Sequence, residues 1–526
     1  MKHREASIAL RRFGLGPRPG DVRQVSADPR GYVLAALSDK AAAAAIGEPA
    51  PPPSHLSFQA MRAAQQVQRQ ARQQSSEERR GQRDAADAEN GPNAKGTGPG
   101  ALSPRSAGGK NGERARDDKA GPMAGASRET GKRDVTSQRP GEIQREVFRL
   151  EVAYRTAMAV QSQTPFVERL VYFWSNHFSV SAVQGQMVRV LAGSFEREAI
   201  RPHVLGRFVD MLKAVEQHPA MLIYLDNARS IGPSSPAGRN RGRGLNENLA
   251  REILELHTLG VGGGYAQADV SSLAMVLTGW TVADAQLVAN AAANPKLATR
   301  LGGDDVVAGR FVFVPNRHEP GQRIVLGKRY ENRGLATGEA VLGDLARHPA
   351  TARHIAGKLA RHFVSDTPPP ELVGRLEKAF LASDGDLMEV ARVLAMAPDC
   401  WATDACKVVP PFDFVVSQMR GFDFSLRPAE VMRIAGAIGQ PMWGPPSPKG
   451  WPEDDDAWMG PSAVRERLRI AEQLARLVEP AADPREVAAE LMGAAMSVQT
   501  RQAIERAETR EQGLQLLMMS PEVLRR

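Results

Sequence analysis

Cysteine is almost absent, with only Cys400 and Cys406 in 526 residues. That excludes a disulfide-stapled scaffold, and the two have no second pair to complete a four-cysteine zinc site. Long apolar runs are missing as well. None approaches the roughly 18 residues that a membrane helix needs, so no membrane role is expected. The opening MKHREASIALRRFG has no unbroken apolar core of signal-peptide length. The expectation is therefore a cytoplasmic chain, with export in company with a partner left open. No HExxH or HxH spacing, no GxSxG elbow and no GxxxxGKS/T loop occurs. Their absence removes the commonest metallopeptidase, hydrolase and nucleotide-binding readings. The triple glycine at 262–264 follows a helical pattern rather than a strand, so it is not a dinucleotide fingerprint.

Charge is present in both signs, with a formal net of +8. Residues 61–140 hold 16 Lys or Arg against 10 Asp or Glu, so six of those eight excess charges belong to one segment. No aromatic residue lies between Phe58 and Phe148. Without stacking platforms among its charges this segment is not a single-strand binding surface, and no specific nucleic-acid partner is expected.

The same segment sets the domain organisation. From Ser75 to Pro140 the chain is Gln, Arg, Gly, Ala, Ser and Asp in no period, with Leu102, Met123 and Val135 as its large apolar side chains. Such a stretch buries too little surface to offset its ordering entropy, which predicts a disordered insertion over 75–140. Residues 1–74 and 141–526 are read as two parts of one domain. Phe58, Met61 and Val67 on one side, and Ile143, Val147, Leu150 and Tyr154 on the other, have helical spacing. Beyond Pro140 most of the chain reads as helix, with an apolar stripe of Phe166, Leu170, Val171, Phe173 and Trp174. A polar, Ala-rich patch runs from Asp284 to Asp305. The one clear β signal is RFVFV and RIVLG around PNRHEPGQ, which predicts a small hairpin at about 310–328. The fold class is mainly α, a helical globular domain with that hairpin and the insertion.

Residues 244–265, GLNENLAREILELHTLGVGGGY, are the densest polar stretch. At 100° per residue Glu247, Asn248, Arg251, Glu252, Glu255 and Thr258 share one arc and Leu249, Ile253 and Leu256 the opposite one. The bland reading is a solvent face laced by the i,i+4 pairs Glu247–Arg251 and Arg251–Glu255, each worth a few tenths of a kcal/mol. The sharper reading places that face in a cleft, where carboxylates around an arginine have perturbed proton affinities. His257 falls on the shoulder between the arcs, where a histidine is more often a core-edge residue than a ligand. Two other histidines occupy loop positions, His177 beside Asn176 in FWSNHFSVS and His318 beside Glu319 at the hairpin tip. Imidazole is the usual acid–base group near neutral pH. In HPATARHIAGKLARHF, His354, Lys358 and Arg361 share a face with His362 adjoining, a basic ridge that is read chiefly as solvated and otherwise as a carboxylate or phosphate holder. MWGPPSPKGWPEDDDAWMGP, with Trp443, Trp451 and Trp458, is either a lid packed on the core or a flap over a ligand.

These stretches make the sequence recognisable. Together with ALRRFGLGPRPGD, LDNARSIGPSS, MVLTGWTV, HEPGQRIVLGKRY and MMSPEVLRR, it resembles the bacterial family named domain of unknown function 1800 over nearly its whole length. The ENLARE…ELHTLG stretch is the most specific. The resemblance implies no reaction. It implies a pairing with the domain of unknown function 1501 family, whose members look like phosphatase or sulfatase relatives. The chain departs from the family pattern at Gly262 and Glu319, where Asp is usual or common.

Two functional readings are open. In the first, this is an accessory or binding protein that presents the 247–258 face and the hairpin tip to such a partner. In the second, it is a hydrolase-type enzyme, with or without a bound metal, whose catalytic candidates His177, Glu247, Arg251, His257 and His318 meet in one cleft. Candidate binding residues are Asn176, Asn248, Glu252, Glu319, Lys358 and Arg361. No metal ligand set is assigned and the cofactor is unknown.

Overall fold

Proline starts many of the helices. Pro29, Pro165, Pro219, Pro349, Pro411 and Pro461 each sit in the first turn of a helix. There the missing N–H costs nothing and the fixed φ suits the helix. Short polar side chains cap others. Asp386 accepts the N–H of Met388 and of Glu389, opening Leu387–Met396 after the Asp384-Gly385-Asp386 turn. The computed structural model describes residues 2–38, 49–89, 139–239, 245–303, 306–402 and 407–526. Among these, helices dominate, strands are few, and no helix is long and apolar enough to cross a membrane.

The described chain divides into two units, Met1–Met61 with Gly141–Arg526, and Arg62–Pro140. In the second, helix continues to Glu89, well past the predicted start of the insertion at Ser75. Composition explains the difference. Gln, Arg, Ala and Glu are strong helix formers and propagate a helix already nucleated, even with no apolar face to bury. The rest of the predicted insertion, 90–138, lies outside the described residues.

In the first unit the helix Pro165–His177 lies at the centre. The whole predicted stripe is buried, and so are Glu168 and Arg169 on its other side. Those charges are paired. Glu168 meets both terminal nitrogens of Arg201 at 2.5 and 2.8 Å, and Arg169 meets Asp413 at 2.9 Å. A helix buried all round is stable only when its polar groups find such partners.

The two β-rich runs do form strands, but not with each other. β1 (Trp280–Val282) pairs antiparallel with β2 (Phe311–Phe313), and β3 (Arg323–Val325) with β4 (Lys328–Tyr330). Leu326 and Gly327, both at positive φ, close the second pair as a two-residue turn; Gly327 suits it at no steric cost, whereas Leu326 carries a strained backbone. The Ala-rich patch between β1 and β2 is also ordered. It forms helices Ala285–Ala293 and Pro295–Arg300, capped by Asp284 and Asn294, around a small apolar cluster with Leu301, Val312 and Val314.

Candidate functional site

Four stretches that lie far apart in sequence supply one buried polar centre. Asn176 and His177 end the central helix, His257 ends the ELH run, and His354, Lys358 and His362 come from the helix Pro349–Phe363. Glu453 comes from the tryptophan-rich segment.

His257 owes its position to a backbone irregularity. The helix Asn248–Glu252 continues as a π-helical turn, Ile253–His257, which inserts an extra residue and rotates the side chains beyond it. A 3.6-residue wheel puts His257 on the shoulder; the π turn buries it completely, with Nδ1 2.7 Å from Oε1 of an equally buried Glu216. His257 Nε2 and Glu216 Oε2 have no hydrogen-bond partner among the described residues. The Thr258 hydroxyl donates to the Ile253 carbonyl at 2.5 Å and closes the turn.

His177 is held at both nitrogens. Nε2–H donates to the His257 carbonyl at 3.1 Å, which leaves Nδ1 to accept from Lys358 Nζ at 3.0 Å. Burial, then the charge of Lys358, pushes its proton affinity well below the ordinary histidine range, so His177 is a neutral imidazole of fixed tautomer. The basic ridge thus turns inward instead of facing water. His354 is half-buried and donates from Nε2 to the Leu256 carbonyl at 3.1 Å; burial and Lys358 lower its pKa to about 4. Burial lowers Lys358 to about 8 against the favourable field of Glu453. Only Arg361 of that ridge stays exposed.

Glu453 is the counter-charge. Its Oε2 accepts His362 Nδ1–H at 2.9 Å, and its Oε1 accepts Asn176 Nδ2–H at 3.0 Å. Burial alone would raise this carboxyl, but His362, Asn176 and Lys358 outweigh it and hold it at about 2. His362 Nε2 is buried, without a partner among the described residues.

Residues 441–458 form a strap bound to the end of the central helix and the segment after it. Proline lacks an N–H, so a Pro-rich strap offers mainly carbonyls, and the serines of HFSVS supply donors. Ser179 and Ser181 hydroxyls donate to the carbonyls of Pro448 and Pro445 at 2.9 and 2.7 Å. Asn176 grips Trp451 twice, accepting its N–H at 2.7 Å and donating to its carbonyl at 3.0 Å. Trp443 sits at φ 45°, costly for a bulky residue, and is fixed by its carbonyl on Ala182 N–H and its indole N–H on Glu196. Beneath the strap lies a cavity of about 80 Å³ walled by Trp443, Trp451, Trp458, Tyr172 and Phe412, with Asn176, His362 and Glu453 as polar lining.

The other candidates lie elsewhere. Glu247 is at the surface, bonded to Ser271, Gln267 and Arg251, and Ser271 is the largest cause of its lowered pKa. Asn248 is exposed, and its N–H donates to Asn246 Oδ1 at 2.9 Å. Glu252 is half-buried, its pKa raised by that burial. His318 and Glu319 are buried in a separate node: His318 bonds the Thr278 carbonyl and Asn332, and Glu319 accepts Ser234 N–H and meets Arg323 at 3.5 Å. The expected single cleft is therefore corrected. His177 and His257 come together, with ring centroids 6.4 Å apart, whereas no contact brings Glu247, Arg251 or His318 to them. Glu216, His362 and Glu453 are not among the candidates read from the sequence; His362 was visible beside the basic ridge and Glu453 in GWPED. Among the described residues no three His, Cys, Asp or Glu side chains are disposed to hold a metal ion.

A family model described as Protein of unknown function (DUF1800) matches residues 8–525. No curated protein and no solved structure matches the chain.

Proposed function

The chain belongs to that family, whose description carries no activity, and from the geometry of its buried centre we propose that it is a binding protein whose strap cavity receives one small group of a partner. The carrying observation is the cavity itself, with aromatic walls around a carboxylate–imidazole pair whose second nitrogen is unpartnered. At about 80 Å³ it is far below the several hundred Å³ of a drug-sized ligand site. It suits a single side chain or terminal group with a planar apolar part and a hydrogen-bonding atom for His362 Nε2. Such desolvated aromatic pockets are where interface energy concentrates. The partner proposed is the phosphatase- or sulfatase-like protein that the family resemblance implies. The test is co-purification of the two proteins at physiological salt, followed by titration of the purified pair. Trp451→Ala and His362→Gln should each weaken association about tenfold or more. Independent migration of the two wild-type proteins, or unchanged affinity in both variants, overturns the reading.

A second reading has an observation of its own. A buried carboxylate on Nδ1 with Nε2 left free is the arrangement of a general base, so the Glu453–His362 pair is equipped for proton abstraction in hydrolysis. Turnover of chromogenic esters or phosphoesters that vanishes in both His362→Gln and Glu453→Gln favours it. Turnover that survives both variants removes it.

A further inference from the structure

A second recess, of about 330 Å³, lies between the helix Lys2–Arg11, the turn Gly493–Ala495 and the segment Pro521–Arg526. Arg4, Arg11, Arg12, Arg525 and Arg526 line it, against one carboxylate side chain, Glu522. That carboxylate is already engaged, Oε1 by the Ser497 N–H and Oε2 by the Thr500 hydroxyl, each at 2.8 Å. Three of the guanidinium groups have protein partners. Arg12 donates to the carbonyls of Cys400 and Ala402, Arg525 lies 3.6 Å from Asp455, and Arg526 pairs with Asp413 at 2.9 Å.

Arg4 and Arg11 differ. Among the described residues neither has a carboxylate within 4.0 Å. The one acceptor of Arg11 is the Leu491 carbonyl, at the limiting distance of 3.5 Å. The Nε–H groups of Arg11 and Arg526 are buried with no acceptor among the described residues. Burial draws Arg11 down to about 10, opposed by the field of Glu522. A desolvated guanidinium that lacks its counter-charge is a standing cost, and an oxyanion removes it by accepting paired, charge-assisted hydrogen bonds.

We propose that this recess is a binding site for a small multivalent oxyanion, a phosphate or polycarboxylate compound, held by Arg11 with Arg4 as the outer cation. The volume, about 330 Å³ against about 30 Å³ for a water, admits such a molecule. The recess shares no lining residue with the strap cavity, so the two readings stand or fall separately.

The full chain is titrated calorimetrically with inorganic phosphate, pyrophosphate and citrate, and its melting temperature is followed in each against sodium chloride of equal ionic strength. At least one of the three should bind with a Kd below about 1 mM and raise the melting temperature beyond the chloride control. Pyrophosphate alone, citrate alone or both then identifies the oxyanion class. Arg11→Gln should weaken binding about tenfold or more. Arg4→Gln, at an exposed position that leaves the fold intact, should weaken it about threefold or more, and Arg433→Gln, exposed on another helix, should leave it unchanged. No heat and no stabilisation beyond chloride from any of the three, or wild-type affinity retained in Arg11→Gln or in Arg4→Gln, overturns the proposal.

Discussion

Replacing Glu453 by glutamine keeps the shape of the side chain and removes its charge. In the native protein this carboxyl is held at about 2, against 4.5 for an ordinary glutamate, because His362, Asn176 and Lys358 together overcome its burial. Each tenfold change in proton affinity corresponds to about 1.4 kcal/mol, so the native environment favours the ionised form by about 3 kcal/mol. The folded-state value lies below the unfolded one. The contribution is therefore complete above about pH 4.5 and disappears as pH falls towards 2. The assay is urea unfolding of wild type and Glu453→Gln by tryptophan fluorescence at pH 7, 5, 4 and 3. The stability gap should be about 3 kcal/mol at pH 7 and 5 and should narrow steadily below pH 4.5. A gap that stays constant from pH 5 to 3, or no gap at pH 7, refutes the claim that this carboxylate anchors the centre.

Two further outcomes are expected of the same centre. Lys358, held at about 8 instead of 10.5, sheds its proton in the folded chain before the unfolded one does. Its presence should make stability rise by about 3 kcal/mol between pH 8 and 10.5, and Lys358→Met should lose that rise in a parallel urea series. Gly450 sits at φ +88°, and an added Cβ would stand 2.4 Å from the Asn176 carbonyl oxygen. Gly450→Ala should cost about 1–3 kcal/mol and red-shift tryptophan emission as the strap lifts, and an unshifted spectrum with unchanged melting temperature counts against the clamp.

Much of the helical character was legible because its causes are local. The stripe from Phe166 to Trp174 and the helical spacing of Ile143, Val147, Leu150 and Tyr154 act within a few residues of where they stand. Misreadings arose where a local pattern was consistent with more than one partner. RFVFV and RIVLG are strands on any reading, yet β2 finds Trp280–Val282 across two intervening helices. The wheel over 247–258 assumed a constant 3.6 residues per turn, and the π turn at Ile253–His257 breaks that assumption. In the ridge helix the same basic residues suit a solvated face or a buried one, and the choice depends on the presence of His177 and Glu453.

The sequence by itself determined the class of the fold, the family, and the residue types available for chemistry, since each rests on composition, short-range periodicity or local motifs. Only the tertiary structure decided which of those residues meet. Lys358 reaches His177 across 181 positions, and Glu453 reaches Asn176 across 277. No short-range preference encodes such a pairing. It is fixed when apolar faces from the whole chain pack together and each polar group enclosed with them must find a partner.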